Sequence, residues 1–295
     1  MILVAGGTGT LGTQVVRRLV GQRLPVRVLT RDPQRAAHLF GVVETVVGDL
    51  RDPAAVAAAV HRCTTVISAV HGFVGPGKPS PEAIDRDANA ALFRAAAGAG
   101  VQDVVLVSVF GAAPRHPMSL HRAKYAAEQA LVSSGLGWTI IRPTAYFETW
   151  IGIIGGKLPE TGKALVFGPG RTPINFVSAH DVAALVELAV GNQSLRGQIV
   201  PAAGPQDLSF TQFAEKLIAD TGKPGRINHV PLPMLRLMSV LARPVSPAFA
   251  RQARAAVVMN TTDMTADGAG ARRDPAPATT LDGVLARRRA ELPEP

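Results

Sequence analysis

The residues Gly6-Gly7-Thr8-Gly9-Thr10-Leu11-Gly12 lie between a short apolar run, Met1 to Ala5, and a segment where Leu11, Val15, Val16 and Leu19 recur at helical spacing. Glycines so placed permit a tight turn, a close approach of backbone to a pyrophosphate, and a helix packed hard on the preceding strand. The helix then turns free N–H groups and the positive end of its dipole towards the phosphates. A glycine triplet alone is weak evidence, but here a strand precedes it and a helix follows. A second strand, Val26 to Thr30, ends about 20 residues on, where a ribose-reading side chain belongs. An acid there would hold the ribose 2′-hydroxyl of NAD. This chain has Thr30 and Arg31, a hydroxyl and a guanidinium, which suit a 2′-phosphate. NADP(H) is favoured and NAD(H) stays open, because Asp32 is either the missing acid or the turn residue before Pro33. Gly6, Thr8, Gly9, Thr10, Leu11 and Gly12 are the expected phosphate contacts, with Thr30 and Arg31 at the ribose.

The elements that must position these residues alternate along the chain. Strands are expected at Val42 to Val47, Thr65 to Val70, Val101 to Val109 and Trp138 to Ile141. Helices are expected at Pro53 to Val60, Pro81 to Ala97 and Met118 to Ser133. That order implies an α/β fold, a Rossmann-type doubly wound parallel sheet with a smaller C-terminal substrate lobe. Residues 1–145 read as the NAD(P)-binding core and 146–260 mostly as the substrate lobe, with 174–203 returning to the core sheet. Tyr146 to Pro173 is rich in glycine and aromatics and shows no clear period. Asn175 to Val190 gives a strand and a helix starting near Ala179, Gln198 to Ala202 a strand, and Ser209 caps a helix through Asp220. Ile227 to Pro231 reads as extended, and Leu232 to Met259 as apolar helices that could provide a homodimer interface. The tail, 261–295, reads as a loop and a short surface helix.

Composition narrows the class. The chain has 295 residues, 47% of them apolar, which fits a globular protein with a sizeable core. No apolar run reaches the length of a membrane span, and Met1 to Ala5 reads as a buried strand rather than a signal peptide. Cys63 is the only cysteine, so no internal disulfide forms, and a cytoplasmic setting is expected. The net charge of +9 comes from scattered, mostly arginine residues without aromatic interleaving, so nucleic acid is not the expected partner. His71, His116, His121 and His180 lack ligand spacing with a carboxylate pair, so no metal is expected.

The ordered set Gly6 to Gly12, Val28-Leu29-Thr30-Arg31, Gly48-Asp49-Leu50, Val107-Ser108, Lys124-x-x-x-Glu128, Ile141-Arg142-Pro143-Thr144 and Asp181-Val182-Ala183 resembles the short-chain dehydrogenase/reductase superfamily. Within it the resemblance is to the atypical NmrA-like group, and it covers about residues 1 to 235. It implies that Asp49 accepts from the adenine amino group, with Leu50 packing on the ring; the plainer reading is that Asp49 caps the next turn. It implies that Ser68, Ala69 and Val70 line the central ribose, with Gly72 letting backbone come close. Lys124 would reach the nicotinamide ribose and stabilise nearby negative charge, and Pro143, Thr144 and Tyr146 would flank the nicotinamide.

The departures bear on catalysis. Active members of the superfamily place a tyrosine four residues before the lysine, where the ammonium lowers the phenol's pKa. Here that residue is Leu120, and the adjacent Tyr125 points elsewhere round the helix. His121 is the best local acid/base, or a histidine with no catalytic role; Ser108 is either the family's serine or simply a strand end. A quinone or similar acceptor eases the need for an acid, since positioning and water can suffice. Phe73, Phe110, Tyr146, Phe147, Trp150 and Phe176 are expected to line a flat apolar pocket, with ordinary core as the alternative for each. The resemblance implies an NAD(P)H-dependent oxidoreductase acting on a hydrophobic small molecule, a quinone or aromatic polyketide. The alternatives are a non-catalytic NAD(P)H-binding sensor, or a tailoring oxygenase or isomerase.

Overall fold

The computed structural model describes residues 1–39, 41–73, 80–266 and 276–291. Short runs of Val, Ile and Leu bury on both faces: every residue of β1 (Ile2–Ala5) and of β2 (Val26–Thr30) is buried, Arg27 and Thr30 included. Between them α1 (Thr10–Gly21) turns Leu11, Gly12, Val15, Val16 and Leu19 inward. The chain continues through β3 (Glu44–Val47), α2 (Pro53–Val60), β4 (Thr65–Ser68), α3 (Asn89–Gly98), β5 (Asp103–Val107), α4 (Ser119–Val132) and β6 (Gly137–Pro143). The start of α2 is fixed by Asp52, whose carboxylate accepts from Ala54 N at 2.9 Å, with Pro53 in the first turn.

Further on come β7 (Ala145–Tyr146), α5 (Phe147–Gly155), α6 (Leu158–Thr161), β8 (Lys163–Phe167), β9 (Ile174–Val177) and α7 (Ala179–Ala189). They are followed by β10 (Gln198–Ala202), β11 (Gln206–Leu208), α8 (Phe210–Asp220), β12 (Arg226–Val230), α9 (Leu232–Leu241), α10 (Pro247–Met259) and α11 (Leu281–Glu291). The chain falls into two compact units: Met1–Pro143 with Val182–Pro201, and Thr144–Asp181 with Ala202–Pro295.

The first unit holds a mostly parallel seven-stranded sheet in the order β10-β6-β5-β4-β1-β2-β3. Strands β1, β2, β3, β4, β5 and β6 pair in parallel, each Cα of β1 facing one on β2 and one on β4. The order turns back at β1 and β4, so the loops after their carboxyl ends lie beside each other. In the second unit β11-β9-β7 form one small sheet and β12-β8 another. Its core gathers Phe147, Ile151, Phe176, Phe210, Phe213 and Leu217.

Three sequence expectations need correction and a fourth needs refinement. The segment Pro81 to Ala97 is not one regular helix, because it opens with a π-helical stretch, Glu82–Ala88, before α3. The unpatterned stretch 146–173 holds ordered elements, β7, α5, α6 and β8, whose period is hidden by Gly152, Gly155 and Gly156. β9, expected to return to the core sheet, pairs instead with β11 and β7 in the second unit. The tail helix α11 is a surface helix that does more than lie there: Asp282 and residues 286–291 are exposed, but Leu281, Val284 and Leu285 are buried in the second unit's core. The tail's residues 267–275 and 292–295 lie outside those described.

Candidate functional site

The glycine loop after β1 is built by backbone contact. Gly6 has φ +86°, and a Cβ on it would come within 2.7 Å of the Ala69 carbonyl oxygen that follows β4. A Cβ on Gly12 would stand 2.0 Å from the Gly6 oxygen, so α1 can start this close to the loop only with glycine there. Gly9 N donates to Gly6 O at 3.0 Å and Thr13 N to Gly9 O at 2.9 Å, which closes the turn. No side chain caps α1 and its first turn carries no acid. The first-turn N–H groups of Thr10, Leu11 and Gly12 have no helical acceptor and are left for an anion. Leu11 takes part by backbone alone, since its side chain is 7% exposed. A dinucleotide's pyrophosphate fits this cradle.

At the end of β2 the Thr30 hydroxyl is spent locally while arginine side chains stay exposed. Thr30 Oγ1 is turned back into its own loop, accepting from Asp32 N at 3.2 Å and donating to Asp32 O at 3.0 Å. Thr30 therefore shapes the turn that presents Arg31 rather than offering a free hydroxyl. Asp32 is the turn residue, its carboxylate accepting from Gln34 N at 2.9 Å. Arg31 is half exposed and reaches to 3.9 Å from Asp49. Arg51 makes a two-pronged pair with the same carboxylate at 2.8 and 3.0 Å, and Arg35 donates to Thr8 O at 3.1 Å. Hydrogen bonds from Arg51, with its charge and that of Arg31, hold the Asp49 carboxyl down at about 2 despite partial burial. Sequence reasoning singled out neither Arg35 nor Arg51, although Arg51 stands two residues after Asp49. Leu50 belongs to the core cluster at 7% exposure, so little of it is left to pack on an adenine ring.

Several residues chosen from the sequence are consumed inside the first unit. Lys124 is 3% exposed; its Nζ donates to Val70 O at 2.8 Å and Val107 O at 2.9 Å. It also lies 3.1 Å from Asp85 Oδ1, an ion pair whose angle is too poor for a hydrogen bond. Two of its three N–H donors are spent on carbonyl oxygens and its charge is paired with Asp85. At 3% exposure the ammonium is therefore held in the interior rather than presented at the surface. Asp85 Oδ2 in turn accepts from Gly72 N at 2.9 Å, and Asn89 Nδ2 donates to Asp85 O at 2.9 Å. Ser68 is fully buried and its hydroxyl donates to Asn89 at 2.5 Å, so of Ser68, Ala69 and Val70 only the last two keep an open face. Asp85 and Asn89 were not among the sequence candidates, but they share the spacing of Leu92 and Ala96, the buried stripe of α3.

The other proton-transfer candidates are also withdrawn. His121 is 2% exposed and stacks on His116 at 3.8 Å. Burial, with a smaller contribution from His116, pushes its pKa down to about 3, so it is neutral where it was expected to titrate. The Ser108 hydroxyl is held by Glu128, which also receives Arg142 at 2.9 and 2.5 Å. Pro143 is buried, its carbonyl accepting from Phe110 N at 2.8 Å.

In the second unit, Thr144 Oγ1 donates to Asn175 Oδ1 at 2.9 Å. Tyr146 is partly exposed, but its hydroxyl oxygen is buried with no partner among the described residues, and burial raises its pKa. Phe147 and Phe176 are fully buried core residues stacked at 5.6 Å, so neither lines a pocket. Trp150 packs against Phe210 at 4.5 Å and stays partly exposed, as do Phe73 and Phe110 in the first unit.

A protein-family model for NAD(P)H-binding matches residues 6–192. The chain is 34% identical over 228 residues to the NAD(P)H azoreductase of Xenophilus azovorans, covering 77% of this chain and 76% of that protein. It is 28% identical over 293 residues to photosystem II assembly factor Ycf39 of Synechocystis, covering 96% and 89%. Among solved structures, the NADPH complex of quinone oxidoreductase QOR2 from Escherichia coli matches with a TM-score of 0.76 at 21% identity, covering 98% and 100%.

Proposed function

The chain belongs to the NAD(P)H-binding family, and from that premise we propose that it is an NADPH-dependent reductase of flat, hydrophobic, electron-poor acceptors: quinones, azo compounds or aromatic polyketides. The observation that carries this reading is a backbone phosphate cradle beside candidate proton donors that are all buried. Lys124 is held by Asp85 and two carbonyls, His121 is neutral, and the Ser108 hydroxyl is bound to Glu128.

NADPH, when bound, supplies a hydride, and an electron-poor acceptor takes it without prior protonation, leaving water to deliver the proton. The chain's own contribution is then positional. Gly6 to Gly12 hold the pyrophosphate by backbone N–H groups, while Arg31, Arg35 and Arg51 collect positive charge at the 2′-phosphate. Ala69 and Val70 offer backbone to the central ribose. Phe73 and Phe110, partly exposed in the first unit, offer ring surface to a flat acceptor. The azoreductase and quinone oxidoreductase named above support this acceptor class.

The same withdrawn side chains, with the assembly-factor relative, favour one other reading: a module that binds the dinucleotide without turning it over. Titration with NADPH and with NADH, followed by a naphthoquinone and an azo dye, separates the two. Tight NADPH binding with loss of reduced cofactor on adding acceptor supports the reductase. Tight binding without turnover favours the module, and failure to bind either nucleotide refutes both.

A further inference from the structure

Helix α9 is apolar almost all round, Leu-Pro-Met-Leu-Arg-Leu-Met-Ser-Val-Leu, a pattern that normally marks a helix buried on every side. Only one side is covered. Leu235 is 3% exposed and packs, with Leu232 and Met238, against Ala253, Ala256 and Val257 of α10 and against Phe167 and Val230. On the other side Met234, Leu237, Val240 and Leu241 are 45, 57, 57 and 65% exposed. The apolar surface runs on through the turn, where Val245 is 88% exposed, to Phe249 at 39% on α10. Scattered exposed apolar residues are ordinary; six that follow one helix and its turn are not.

The charge along this segment has one sign. No Asp or Glu occurs between Asp220 and Asp263, a stretch that contains six cations: Lys223, Arg226, Arg236, Arg243, Arg251 and Arg254. All but the half-buried Arg251 are exposed, and none has a carboxylate partner among the described residues. An apolar centre inside a cationic field is the composition of a helix that lies in the plane of a membrane interface. No helix among the described residues is long and apolar enough to cross a membrane, so the contact would be peripheral.

We infer that the outer face of α9 and its turn into α10 dock on an anionic lipid bilayer, with Leu237, Leu241 and Val245 entering the acyl boundary and the arginines meeting lipid phosphates. A second copy of the chain fits poorly, because a two-fold contact through this face brings Arg236 and Arg243 of α9 and its turn towards their own copies with no acid in the segment to offset them. A folded acidic partner would need a cavity shaped for Val245, whereas an acyl boundary accepts any apolar profile.

The test is co-sedimentation of the full chain with vesicles of phosphatidylcholine, with and without about 30% phosphatidylserine. We expect binding to the anionic vesicles about tenfold stronger than to the neutral ones, weakening as salt is raised. The double variant Leu237→Asp with Leu241→Asp, both at exposed positions, should lose that binding while its thermal midpoint stays unchanged. Arg236→Glu with Arg243→Glu should lose the preference for anionic lipid. Absence of vesicle binding by the folded chain overturns the inference, as does binding that both variants leave intact. A solution dimer that the leucine variant converts to monomer assigns the face to self-association instead.

Discussion

Lys124 Nζ lies 3.1 Å from the Asp85 carboxylate, and both side chains are buried, at 3% and 0% exposure. The superfamily that the chain resembles keeps the corresponding lysine available beside a tyrosine. Here Leu120 replaces the tyrosine and an acid from the π-helical turn takes the lysine.

The first prediction follows from that burial. Lys124→Met leaves Asp85 charged and unpaired in the interior and should lower stability by about 3 to 5 kcal/mol. Lys124→Met combined with Asp85→Leu should recover much of the loss. Urea unfolding of the two single variants and the double variant measures the coupling. Additive losses would show that the pair does not act as a unit.

Cofactor choice should sit with the arginines. Changing Arg31, Arg35 or Arg51 to Ala should each weaken NADPH binding by about tenfold, with a much smaller effect on NADH. Fluorescence titration with both nucleotides reads the ratio. Equal loss for the two would place these side chains away from the 2′-phosphate.

Two glycines of one loop should behave differently. Gly12→Ala forces a Cβ to within 2.0 Å of the Gly6 oxygen and should abolish nucleotide binding, along with much of the stability. Gly9→Ala meets the same oxygen at only 3.3 Å and should cost far less. Thermal melts with and without NADPH distinguish the pair.

His121 makes stability depend on pH. A histidine released by unfolding takes a proton near pH 6.5, whereas the buried one stays neutral down to about 3. Between those limits the unfolded state binds the extra proton, so stability is full above pH 6.5 and falls as the solution is acidified. The slope should approach about 1.4 kcal/mol per pH unit from this group. His121→Leu should flatten that dependence in urea melts between pH 7.5 and 5, and an unchanged slope would move the effect to another group.

The Tyr146 hydroxyl gives a sharper test of the second unit. It is buried without a partner among the described residues, so Tyr146→Phe should leave the free protein as stable or slightly more so. If the same change weakens NADPH binding, the hydroxyl faces the cofactor. Unchanged binding makes Tyr146 a packing residue.

What could be read from sequence and what could not divide along physical lines. The parallel core was legible because strands buried on both faces are dominated by apolar residues, as β1 is throughout and β2 and β4 are apart from Arg27, Thr30, Thr65 and Ser68. Pro53 and Ser209 announced helix starts through local capping chemistry, and Ser209 indeed forms a capping box with Gln212. The glycine loop was legible for the same reason, since its demands on backbone are local. Lys124 was found by motif, but its partner Asp85 lies 39 residues earlier in another helix, and such pairing leaves no local trace beyond an acid on a buried stripe. Phe147 and Phe176 were misplaced because an aromatic in a glycine-rich stretch looks alike whether it faces a ligand or Phe213.

The contact between Gly12 and the Gly6 carbonyl separates grip from taste. Phosphate holding is written into main-chain geometry that tolerates no added carbon, so it is locked to the fold itself. In the proposed function, discrimination between the two dinucleotides falls to guanidinium groups at the loop's rim, where Arg31 and Arg51 pair with Asp49. On that reading, a change of dinucleotide preference needs only the rim rewritten and leaves the scaffold alone.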